Sequence, residues 1–125
     1  MITLGRMSAP SAGVVEFSKF FTGDTLTLVQ RFFRQDFKFC STIEFSRVRA
    51  YRERAGVYCT AWHTAGYDKV VEVLDSEWVA ELQANAEPRV REAFTMRHFL
   101  AYLEGAGAIE VVAADVRLFP DTLER

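Results

Sequence analysis

Between Phe37 and Arg54, a strand-like run of residues changes the side on which its apolar residues fall. Up to Phe45 the odd positions are apolar, with Phe37, Phe39, Ile43 and Phe45, and Ser41 is the exception. The even positions there, Lys38, Cys40, Thr42 and Glu44, are mostly polar. Beyond Ser46 the odd positions become Arg47 and Arg49, while Val48 and Ala50 supply apolar bulk at even ones. Successive strand side chains point to opposite faces, so one extra residue near Ser46 exchanges those faces. The pattern predicts a long strand with a bulge or sharp bend, and an arginine cluster carried just past it.

The rest of the composition is compatible with such a strand in a globular sheet protein. A chain of 125 residues fits a single domain over 1–125, long enough to bury one core. Residues 1–12 carry small and flexible side chains and are expected to be poorly ordered. Eleven of the aromatic residues are phenylalanines, which suit a pleated surface. A formal charge of -2 argues against nucleic acid as a partner, since phosphate binding needs a surplus of cations. Cys40 and Cys59 are too few for a disulfide framework and read as free thiols in a reducing compartment. The apolar stretches of MITLGRMSAP are broken by Gly5, Arg6 and Pro10, so no secretion signal is expected there. No window approaches the roughly 20 apolar residues that span a bilayer. A soluble, cytoplasmic protein is the resulting expectation, with the general makeup of small bacterial α+β proteins.

Strand signals dominate the chain. Val14 to Phe21 is closed by a turn at Thr22-Gly23-Asp24, and Leu26, Leu28 and Phe32 begin a second alternation that ends at Gln35-Asp36. After a turn at Ala55-Gly56, residues Val57 to Thr64 read as a further strand. Tyr67 to Leu74 is ambiguous, its valines favouring strand. Asp75-Ser76 offers a helix N-cap followed by Glu77 in the first turn, with Trp78, Val79 and Leu82 on one face. Pro88 ends that helix and opens another, whose face carries Val90 and Phe94. Met96 to Leu103 and Ala108 to Phe119 read as a hairpin around Gly105 to Gly107. That register sets Leu103 against Ile109, Phe99 against Ala113 and Arg97 against Asp115.

Candidate chemistry is sparse. Arg47 and Arg49 project from one strand face and could grip a carboxylate or phosphate, with Arg52 and Arg54 on the opposite face. Asp68 or Glu72 would be their acidic partners across the sheet in a purely structural arrangement. Cys59 and His63, four residues apart, would be roughly 13 Å apart on a regular strand, too far for a nucleophile and its base. Cys40, Cys59, His63 and His98 lack metal-ligand spacing, so no metal is expected, and no motif implies a cofactor. Glu44 lies beside the bend; Glu104 and Glu110 flank the hairpin turn and read as solvent-facing. Tyr58, Trp62 and Tyr67 are the aromatics suited to an interaction surface.

The expected fold is α+β: a bent, mainly antiparallel sheet of about five to seven strands, with one or two short helices near residues 75–94. With no nucleophile–base pair and no cofactor motif, the leading expectation is a non-enzymatic binding or interaction protein, immunity-like in kind, with a protein partner or a homodimer and no membrane. The alternative is a small-ligand site or enzyme for an anionic or polar molecule, built from Glu44, Arg47, Arg49 and His63 beside the bend.

Overall fold

A computed structural model describes residues 1–7, 10–89 and 95–124. Among them, ten strands form two five-stranded, antiparallel sheets with two short α-helices, an α+β arrangement. In the first sheet the order is β1 (Ile2–Arg6), β6 (Lys69–Val73), β7 (Arg97–Leu103), β8 (Gly107–Ala113) and β5 (Ala50–Arg54). In the second, β2 (Val14–Thr22), β3 (Thr25–Arg34) and β4 (Phe37–Ser46) run side by side. The far side of β4 pairs with both β9 (Asp115–Leu118) and β10 (Thr122–Leu123).

The two sheets are joined by one bent ribbon. β4 leads into β5 while β8 leads into β9, so both strands cross from one sheet to the other together. Ser46 opposes Asp115 and Ala50 opposes Val112, which leaves three residues on one strand against two on its partner. The extra residue is a bulge at the expected place, and Arg47 takes the left-handed conformation there with φ 54°. Three backbone bonds fix the corner. Val48 N–H donates to Asp24 O at 2.8 Å, Arg49 N–H to Val112 O at 2.7 Å, and Ala114 N–H to Ser46 O at 3.0 Å. The expected exchange of faces is corrected to a local one: Val48 packs inward at the corner, but Tyr51 faces the core as Phe45 does and Arg52 faces outward as Glu44 does. The bend at the bulge divides the chain into two layers. Together with the short β1, β9 and β10, it also raises the strand number above the five to seven expected.

The core fills the space between the layers. Leu26, Leu28, Ile43 and Phe45 of the second sheet meet Val70, Phe99, Leu103, Ile109 and Val111 of the first. Phe45 and Phe99 touch across the interface with centroids 5.7 Å apart. Burying each ring contributes about 1.5–3 kcal/mol. Tight turns set the second sheet's register: Gly23-Asp24 joins β2 to β3, and Gln35-Asp36, both with positive φ, joins β3 to β4. Of the N-terminal segment expected to be loose, Ile2–Arg6 forms an edge strand on β6.

β8 is buried along its whole length because its outer face is covered as well. Over that face lie a 3₁₀ turn (Gly56–Tyr58), α1 (Ala61–Thr64) and α2 (Glu77–Asn85). The strand expected over Val57 to Thr64 is thus corrected to a 3₁₀ turn followed by α1. The local preference of Val57 and Tyr58 for strand loses to the chain's need to cap an apolar sheet face, and Thr60 and His63 pair as a helix cap. The β7–β8 register is also corrected by two residues: Leu103 opposes Gly107 and Phe99 opposes Val111, around a Glu104–Ala106 loop. An even slip preserves the faces, and Arg97 still reaches Asp115 at 3.0 Å while forking Glu72. Lys69–Val73 is a strand, and α2 begins after Ser76; Val90 and Phe94 of the expected second helix lie outside the described residues. No helix among the described residues is long and apolar enough to cross a membrane.

Candidate functional site

A single charge interrupts the apolar run of β8. Glu110 stands between Ile109 and Val111, points to the outer face and is only 4 % exposed. A carboxylate in that position needs charged or hydrogen-bonding partners. β5 supplies one: Arg52 lies directly opposite and forks the carboxylate through Nε and Nη2, both at 2.9 Å. β7 supplies another, since the equally buried His98 places Nε2 at 2.8 Å from Glu110 Oε1. Burial alone would push the Glu110 carboxyl up, but the hydrogen bonds from His98 and Arg52 outweigh it and hold the group at about 2.

The chain of contacts continues to α2. Ser76 is the N-cap, its Oγ accepting from Val79 N–H at 3.1 Å, and the same oxygen lies 2.8 Å from His98 Nδ1. Glu110 is held ionised by Arg52, so His98 Nε2–H donates to it. In the neutral ring, the Nδ1 lone pair then faces the Ser76 hydroxyl. Two tryptophans pack around this series. The Arg52 guanidinium sits 3.9 Å above the Trp78 ring, and Trp78 meets His98 edge-on at 5.2 Å. Trp62 of α1 lies against both His98 and His63. Beside this cluster is an open recess of about 390 Å³, lined by Arg52, Trp62, Leu74, Ser76, Trp78 and His98 among others.

His63 belongs to the same face in a different role. Its Nδ1 accepts from Thr60 N–H at 2.9 Å, closing the first turn of α1. Burial, with the Arg54 charge next, pushes the ring's pKa below its ordinary value, so the neutral form is favoured. Cys59 is not its partner; the thiol lies 3.6 Å from Arg54 O and 3.5 Å from Ala55 O. Both cysteines are free. Among the described residues, no group of three or more His, Cys, Asp or Glu side chains could hold a metal ion.

No family model, curated protein or solved structure matches the chain.

The four residues expected to form a ligand site are not gathered into one recess. Glu44 occupies the outer face of the second sheet, opposite Arg117, whereas His63 lies over the outer face of the first. Arg47 and Arg49 occupy the bend between them, Arg49 within 3.9 Å of Asp24. The structural partners proposed for the arginine cluster are corrected too: Glu72 serves Arg97, and Arg52 takes Glu110. Tyr58, Trp62 and Tyr67 do share the outer face of the first sheet, with Tyr67 packed on Tyr102 at 5.8 Å and donating to Glu104 at 2.6 Å. The site residues not recognised as such in the sequence are Glu110, His98, Ser76 and Trp78. One signal was available: Ala108 and Val112 flank Glu110 on its own face while Ile109 and Val111 fill the other, so both faces of the strand read as covered.

Proposed function

We propose that the chain is a binding module for another protein, and that its recognition surface is the helix-covered face of the first sheet. The observation that carries this reading is the pairing of exposed apolar and aromatic side chains with a rigid foundation. Val57 is 87 % exposed and Tyr58 is 74 % exposed on a short 3₁₀ turn, beside the half-exposed Trp62 and Tyr67. Tyrosine, tryptophan and arginine dominate binding hot spots because they bring large contact areas with a polar handle. Here Arg52 and Trp78 are stacked and anchored through Glu110 and His98, so docking would freeze little side-chain motion. A face fixed in advance suits a tight one-to-one partner, as in an immunity-type pairing.

The test is photo-crosslinking in cells that naturally express the chain, with p-benzoylphenylalanine at position 58 and, as control, at Phe33 on the opposite outer face. A discrete adduct from position 58 that weakens in Trp62→Ala is the expected result. An adduct of twice the chain's mass would identify a second copy as the partner. Equal adducts from both positions, or none from position 58, would sink the reading.

A further inference from the structure

Binding does not account for the order of groups beneath that surface. Ser76 Oγ, His98 and Glu110 stand in series at 2.8 Å and 2.8 Å, a hydroxyl beside an imidazole that a carboxylate orients. The tautomer is set by the partners: the ionised Glu110 takes Nε2–H and leaves Nδ1 able to accept the serine proton. The Val79 N–H fixes the Ser76 oxygen from the other side. At the start of α2, Val79 N–H is satisfied by the Ser76 side chain and Ala80 N–H by the Ser76 carbonyl, while the first-turn N–H groups of Glu77 and Trp78 have no acceptor within the helix. Ser76 lines the open recess together with Trp62, Trp78 and Leu74. Asp75 and Glu77 at its rim disfavour an anionic substrate.

We propose that Ser76 is a nucleophile, with His98 as its general base and Glu110 as the positioning residue, in the hydrolysis of small neutral carboxylic esters. The Ser76 Oγ lone pair forms a bond to the ester carbonyl carbon as its proton passes to His98 Nδ1. The imidazolium so formed stays hydrogen-bonded to Glu110 through Nε2–H. The carbonyl electron pair moves onto oxygen, where the N–H groups of Glu77 and Trp78 at the helix start can meet it. Collapse breaks the bond to the alkoxide, which leaves as the alcohol with the proton from His98. Water then adds to the acyl-serine, its proton going to His98. Ser76 Oγ departs and recovers that proton, and the carboxylic acid is released. Ester and water become acid and alcohol, with no other reactant.

The test uses the chain alone, so its outcome is separate from that of the crosslinking. The purified protein is treated with a fluorophosphonate probe, the adduct is located by peptide mass spectrometry, and hydrolysis of p-nitrophenyl acetate is followed. A stoichiometric adduct on Ser76 is expected, with hydrolysis abolished in Ser76→Ala and slowed at least 100-fold in His98→Gln. In His98→Gln the residual labelling should follow hydroxide concentration alone. Glu110→Gln should lower kcat while leaving KM unchanged, which a role confined to packing would not produce. Circular dichroism reports whether each variant is folded. The decisive measurement needs no variant: if the folded wild-type chain shows no more adduct on Ser76 than on Ser46, the proposal is overturned and the series serves only to anchor α2.

Discussion

Replacing Glu110 with glutamine removes one buried charge while keeping the shape of the side chain. The native fold holds this carboxyl at about 2, against an ordinary value of 4.5. At about 1.4 kcal/mol per pH unit, the gap between those values corresponds to about 3 kcal/mol of native stability at neutral pH. Arg52 is half-exposed, so solvent screens part of its share and about 2 kcal/mol is the expected loss. The sign follows from the direction: a carboxyl depressed by folding stabilises above its unfolded value and loses that contribution as pH falls toward its folded one. The contribution is complete above about pH 5, about half gone near pH 3, and absent below about pH 2. The groups that set it are Arg52 on β5 and His98 on β7. Urea unfolding of the wild type and of Glu110→Gln at pH 7, 5 and 3.5 measures it directly. Both of the chain's tryptophans, Trp62 and Trp78, flank the cluster and report by fluorescence. Other carboxylates titrate equally in the two proteins, so only the gap between them matters. It should be about 2 kcal/mol at both pH 7 and pH 5 and fall to about 1 kcal/mol at pH 3.5. A gap that stays constant over that range would refute the ion-pair reasoning.

Gly107 has φ +83°, and a Cβ there would collide with Arg54 O, whereas Gly105 has the same φ with open space around it. Gly105→Ala should therefore cost about 1 kcal/mol and Gly107→Ala at least about 2 kcal/mol more, read as melting temperatures; equal losses would mean that β8 and the Arg54–Ala55 backbone do not approach closely. His63 should titrate below 6.5 when followed by its ring proton NMR shifts, and Arg54→Ala should raise the midpoint. Because folding favours the neutral ring, its stabilising effect is present above the ordinary value and fades as pH falls through it; a midpoint at or above 6.5 would contradict the buried, neutral assignment.

The features of this fold that were legible in the sequence are those written in a local period. The break near Ser46 could be read because period-two alternation fails within a few residues, and the bulge at Arg47 is its structural form, although Tyr51 returns to the inner face that Phe45 occupies. Ser76 could be read as a cap for the same reason, since its hydroxyl serves a backbone N–H three residues on. The candidate site has no such local signature. Arg52 and Glu110 are 58 residues apart, and Ser76 and His98 are 22 apart. Their contacts depend on strand order, which the hydrophobic pattern does not encode. Val57 to Thr64 was misread because strand propensity describes what fits a half-buried pleat, and this segment instead lies over one. The bend connects the two kinds of information. By carrying β5 out of the second sheet and into place beside β8, it sets Arg52 opposite Glu110. The arginine that could be seen from the sequence thereby meets the carboxylate whose burial could not be seen. The bend that builds the two layers therefore also assembles the cluster.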